Sequence, residues 1–162
     1  MLLLASRAIE PNRGHAAGRE LLAQLYRTHT GRELPPIRIA DRGKPYFEGD
    51  DLHFSISHTK SHVFVALSDR PIGIDAEERD RKIRLELAEK ILSPTEKARY
   101  DATADQRAAL LKLWVLKEAR AKYTGTGLQG YPNHTDFSPE DPRVFEKDGC
   151  YVAVIEEETY AV

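Results

Sequence analysis

Pro71-Ile72-Gly73-Ile74-Asp75-Ala76-Glu77 lies near the middle of a 162-residue chain. Its short apolar run predicts a strand over 71–75 that ends in carboxylates. On the N-terminal side, 53–57 alternates Phe54 and Ile56 with polar neighbours, the period of a half-buried strand. Residues 62–67 are β-branched and aromatic and predict a second strand, joined to the first by a hairpin over 58–61. Earlier still, Leu21, Leu22 and Leu25 share one face of a helix predicted over 16–27, which Gly31 stops. Pro35 and Pro36 open an extended stretch over 37–40, and Asp41-Arg42-Gly43-Lys44-Pro45 reads as a turn.

On the C-terminal side the pattern turns helical. One helix is predicted over 83–92. Ser93-Pro94-Thr95-Glu96 then carries three start signals: a serine cap, proline at the first position and glutamate to close the capping box. The longest helix is predicted over 105–123, with Leu110, Leu113, Trp114 and Ala121 on its buried face and Gly125 and Gly127 at its end. Strands over 144–145 and 151–155 flank an Asp148-Gly149 turn. Strands, helices, then strands again predict an α+β fold with antiparallel sheet. Residues 70–75 join two halves, 1–70 and 71–162.

The chain is 41% hydrophobic and 31% charged, so disorder is not indicated. Its formal net charge of −2 argues against a general nucleic-acid binder, which needs a surplus of Lys and Arg. A single cysteine, Cys150, precludes an internal disulfide framework and a Cys-rich zinc site, and points to the cytoplasm. The apolar start, residues 1–5, is too short for a signal core or a membrane span, and no other stretch approaches one.

Asp75 and Glu77 lie two apart on a strand and point to one side. Two such carboxylates repel unless a cation sits between them, and a hard ion such as Mg²⁺ takes oxygen ligands while keeping waters that phosphate can replace. The plainer alternative is a solvated strand end before the charged stretch at 78–82. In Trp114-Val115-Leu116-Lys117-Glu118-Ala119-Arg120-Ala121-Lys122, the residues Trp114, Glu118 and Lys122 form one helical stripe. There the plainer alternative is an exposed Glu118–Lys122 ion pair. The lone tryptophan should be largely buried, which would put Glu118 at the edge of the core. Ser57 and His58 end a strand, where a histidine can orient phosphate or carry a proton. Lys44, between Gly43 and Pro45, can place a point charge on phosphate. There is no Walker loop, dinucleotide glycine motif, zinc-protease motif or nucleophile elbow.

Gly43-Lys44-Pro45, Phe54-Ser55-Ile56-Ser57-His58-Thr59, Gly73-Ile74-Asp75-Ala76-Glu77 and the Trp114–Lys122 segment, in that order and spacing, resemble the 4′-phosphopantetheinyl transferases. The resemblance covers about 19–128 and is nearer the larger, two-halved class than the short trimeric one. It implies two similar α+β halves about a pseudo-twofold axis, here with a reduced first half, and coenzyme A in the cleft between them. It implies Mg²⁺, with Mn²⁺ as an alternative, held by Asp75, Glu77 and Glu118. It further implies transfer of phosphopantetheine to a serine of an apo acyl or peptidyl carrier protein, with adenosine 3′,5′-bisphosphate released. By position, Glu118 matches a candidate base, Lys122 a lysine near the pyrophosphate, and Lys44, Ser57, His58 and Asp75 contacts to coenzyme A. Arg13 and Arg19 stand in for a basic patch that does not align. Arg79, Arg81, Lys82 and Arg84 are candidate contacts to an acidic carrier. A complete site in one chain implies a monomer. A non-catalytic module that binds coenzyme A or a carrier protein remains the alternative reading.

Overall fold

The computed structural model describes residues 1–125 and 134–156. The first strand, β1 (Leu2–Ala8), is followed by helix α1 (Gly14–Thr30) and the strands β2 (Ile37–Ile39), β3 (Pro45–Phe47), β4 (His53–His58), β5 (His62–Ser68) and β6 (Ile72–Glu78). Helices α2 (Leu87–Ile91), α3 (Pro94–Asp101) and α4 (Gln106–Thr124) come next, then strands β7 (Val144–Lys147) and β8 (Cys150–Glu156). Every strand pairing is antiparallel, in sheets ordered β1-β5-β4, β2-β3 and β6-β8-β7. The fold is α+β, as the pattern of strands and helices predicts. Gly127 lies outside the described residues.

Side-chain alternation builds the layers. On β5, Val63, Val65 and Leu67 join Leu21, Leu22 and Tyr26 of α1 in one core. From the other face of β5, Phe64 and Ala66 pack with Ile72, Ile74 and Ala76 of β6 and Cys150, Val152 and Val154 of β8. The opposite face of β8 gives Tyr151, Ala153 and Ile155 to α4. The order is therefore helix, sheet, sheet, helix, with the two three-stranded sheets packed between the helices and the β2-β3 pair outside these layers. Residues 73, 75 and 77 of β6 fall on its α4 side because 72, 74 and 76 are used against β5.

Four departures from the sequence reading have physical causes. Strand β1 was not expected, because Leu2 and Leu4 are exposed and the leucine run hides its own alternation; its partner is β5 along its whole length. Helix α1 starts earlier and ends later than 16–27, and closes on Gly31 in the left-handed conformation. The helix expected over 83–92 shrinks to Leu87–Ile91, since Leu92 is already extended before Ser93 and Pro94. Strand β6 runs past Asp75 to Glu78, because β8 continues to pair with it as far as Cys150. The capping box at Ser93 and Glu96 forms as its residues dictate, and so does the turn at Asp148-Gly149, whose two residues have positive φ.

Candidate functional site

Strands β4 and β6 run side by side, each at the edge of its own sheet, and side chains rather than a backbone ladder link them. Ser55 Oγ accepts from the Ile74 amide at 3.0 Å, and Ser57 Oγ accepts from the Ala76 amide at 3.1 Å. Helix α4 lies against β6 at Gly73. A Cβ there would fall 2.0 Å from the Ala119 carbonyl oxygen and 2.4 Å from the Tyr123 amide, so only glycine permits the approach. That approach carries Glu118 and Lys122 to the carboxylate face of β6.

Lys122 Nζ reaches into the seam. It donates to Asp75 Oδ1 at 3.1 Å and to the carbonyls of Ile56 and Ile74 at 3.3 and 3.1 Å. The Glu118–Lys122 ion pair considered from the sequence gives way to this one with Asp75. Glu77 faces Arg81, whose guanidinium also lies 6.0 Å from the centre of the Trp114 ring. Trp114 is half-buried, not largely buried: its indole helps to hold Glu77 and forms part of the wall. Asp75, Glu77, Arg81, Trp114, Glu118 and Lys122, with Ser57 and His58, line one cavity of about 490 Å³.

The three carboxylates share an electrostatic strain. Burial raises all three above the usual carboxylate range, most clearly Glu118, which is pushed up to about 7 by desolvation and then by the Asp75 charge. Carboxylates that burial and one another's charge push upward suit a hard divalent cation, whose charge would relieve both. Among the described residues no three His, Cys, Asp or Glu side chains form a ready-made cation cage. Asp75 and Glu77 are instead turned to Lys122 and Arg81, so the donor set fits a cation once those partners yield.

Ile56, His58, Glu118 and Lys122 are shared with a second cavity of about 380 Å³. Its charged lining is basic apart from Glu118: Arg19, Arg42, Lys44 and Lys122, with His15 and His58 beside them and Phe54 and Pro45 as apolar surface. Arg42 and His15 were not singled out from the sequence; the place of Arg42 beside Gly43-Lys44 was the available signal. His58 packs on the start of α1, where a Cβ on Gly14 would lie 2.4 Å from the imidazole. Lys44 ties the turn before β3 to β6 and α4, donating to the Tyr123 carbonyl at 2.8 Å and the Ile72 carbonyl at 3.3 Å, and desolvation lowers its pKa.

Other residues fall elsewhere. Arg13 is exposed at the start of α1 and lines neither cavity. The Ser57 hydroxyl is taken up by Asp75 and Ala76 within the seam. Of the basic cluster after β6, Arg79 pairs with Glu146 at 3.3 Å and Arg81 with Glu77, while Lys82 and Arg84 are exposed.

Comparison with known proteins follows the same map. The family model described as the 4′-phosphopantetheinyl transferase superfamily matches residues 71–151, half of the chain and the part that holds Asp75, Glu77, Glu118 and Lys122. A 4′-phosphopantetheinyl transferase of Bacillus subtilis is 36% identical over 93 residues, 56% of this chain and 41% of the relative. The protein psf-1 of Bacillus pumilus, a 4′-phosphopantetheinyl transferase, is 37% identical over 122 residues, 69% of this chain and 52% of the relative. A putative 4′-phosphopantetheinyl transferase of Haemophilus influenzae is 31% identical over 135 residues, 80% of this chain and 52% of the relative. The matched part spans about half, or somewhat less, of each relative's length. Order of motifs, wall of carboxylates and matched region agree, and the chain belongs to the 4′-phosphopantetheinyl transferase superfamily.

Proposed function

We propose that the chain transfers the 4′-phosphopantetheine arm of coenzyme A to a serine hydroxyl of an apo acyl or peptidyl carrier protein. The observation that carries this is the pair of adjoining cavities, one basic and partly apolar, the other lined by three carboxylates, with Lys122 on the shared wall. A nucleotide with several phosphates fits such a division. Arg19, Arg42, Lys44 and His58 would hold its charged adenosine end, with Phe54 and Pro45 against the base. Asp75, Glu77 and Glu118 would hold Mg²⁺ or Mn²⁺, which when bound neutralises pyrophosphate oxygens.

In the reaction the serine oxygen forms a bond to the β-phosphorus, the bond from that phosphorus to the bridging oxygen breaks, and adenosine 3′,5′-bisphosphate leaves. Positioning and charge neutralisation do most of the work in such transfers. Lys122, once released from Asp75, supplies a fixed positive charge beside the phosphates. The serine proton needs an acceptor, and Glu118 serves as that base, through one water while it also holds the cation and directly if it does not. The two helix-on-sheet units correspond to the two related halves, the site lies in one copy of the chain, and the protein acts as a cytoplasmic monomer. No helix among the described residues is long and apolar enough to cross a membrane. Lys82 and Arg84 offer exposed charge to an acidic carrier beside the cavity.

The test is to incubate the protein with coenzyme A, Mg²⁺ and a panel of apo carriers from fatty-acid, polyketide and peptide pathways, and to read the carriers by mass spectrometry. At least one carrier should gain one phosphopantetheine. If all stay unmodified the transferase reading is lost, and coenzyme A binding without transfer would identify a binding module instead.

A further inference from the structure

Two serines of β4 bond to β6 in nearly the same way, and one of them does something more. Ser55 and Ser57 are each 6% exposed, lie two apart on the strand, and accept a backbone amide of β6. A hydroxyl that accepts from an amide has its single proton directed away from that amide. In Ser57 the proton goes to Asp75 Oδ1, at 3.1 Å. The same carboxylate oxygen takes the Lys122 ammonium, also at 3.1 Å. These two partners are unequal in permanence. Lys122 sits on a flexible stem and faces both cavities, so an arriving phosphate competes for it. Ser57 is fixed by β4 on one side and by the Ala76 amide on the other, on a short side chain with no stem to swing away.

We propose that Ser57 is a positioning residue for Asp75: its hydroxyl keeps the carboxylate aimed at the cation position while Lys122 moves to the substrate. The proposal rests on the reading of Asp75 as a cation ligand. It differs from the role that position alone suggested for Ser57, a contact to coenzyme A, because the hydroxyl's bonds lie within the seam.

Ser55 provides the internal control, since it has the same amide bond and no carboxylate. The experiment titrates Mn²⁺ into the full chain without coenzyme A, following free Mn²⁺ by electron paramagnetic resonance, for wild type, Ser57→Ala and Ser55→Ala. Each variant strands one buried amide, so both should melt at similarly lowered temperatures. Mn²⁺ affinity should fall about tenfold or more in Ser57→Ala, the range for groups that orient metal ligands. In Ser55→Ala it should stay within about threefold of wild type, a difference well under one tenfold step in affinity. Ser57→Cys, close in size and a weak donor, reads the same loss if Ser57→Ala does not fold. Equal losses in the two serine variants would reduce Ser57 to a stitch in the seam and overturn the proposal, as would unchanged affinity in Ser57→Ala. A wild-type protein that binds no Mn²⁺ would overturn the cation reading itself, and the proposal with it.

Discussion

Lys117 and Lys122 leave the same helix about one and a half turns apart, on different sides, and meet different surroundings. Lys117 is 2% exposed and bonds Glu96, itself 0% exposed, at 2.6 Å. Glu96 also accepts from the Ser93 and Phe137 amides and the Thr135 hydroxyl, so its two oxygens hold together the start of α3, the middle of α4 and the segment after residue 134. Lys122 is one-third exposed and bonds a carboxylate on the cavity wall. The first lysine is enclosed by partners that nothing can replace. The second has partners that a ligand can replace. The two ion pairs differ less in distance than in whether solvent can reach them.

Breaking the enclosed pair should have the largest effect. Lys117→Ala leaves Glu96 buried without its cation, a change that costs about 3–5 kcal/mol. Urea unfolding should show that loss, a large part of the stability of an ordinary domain. A loss below about 1 kcal/mol, the worth of an ordinary hydrogen bond, would erase the contrast.

Lys122→Met should separate the two roles from the other side. Stability should fall by only about 1 kcal/mol, because Asp75, already raised by burial, can take up a proton when its partner is gone. Transfer to a carrier should fall by roughly 10²–10³-fold, the usual loss on removing one charge-stabilising group. If kcat holds while the melting temperature collapses, Lys122 is structural like Lys117.

The smallest effect sharpens the electrostatics of the wall. The Glu118 carboxyl is raised to about 7, above its ordinary value, so its contribution to stability is full below the unfolded value and lost as pH rises through about 7. Glu118→Gln removes that loss. In the presence of a chelator at pH 8 the variant should melt above wild type by about 2–4 °C, on the order of 1 kcal/mol once solvent screening is allowed for. The two should converge near pH 5. Equal melting at both pH values would mean that neither burial nor the neighbouring carboxylates raise Glu118.

Much of this was legible in the sequence wherever the cause is local. Phe54 and Ile56 alternate, Ser93 and Glu96 cap a helix, and Asp148-Gly149 makes a turn; each needs only its neighbours. The carboxylate wall was legible in part, because strand and helix periods place Asp75 with Glu77 and Trp114 with Glu118 and Lys122. What failed was non-local. The Lys117–Glu96 pair and the Lys44 bonds to Ile72 and Tyr123 join residues that no period relates. The helical spacing of Glu118 and Lys122 favoured a pair between them, and the seam offered Lys122 a better partner in Asp75 and two carbonyls. Strand β1 stayed hidden because its outer leucines face solvent.

Gly73 carries a rule beyond this molecule. Helix α4 rests directly on the peptide at that point, so the distance from β6 to Glu118 is set by a missing methyl group. A chain that keeps all three carboxylates but places a larger residue two positions before the first of them must lift its helix away from them. Such a chain would look competent in its acids alone and still be unable to bring them together.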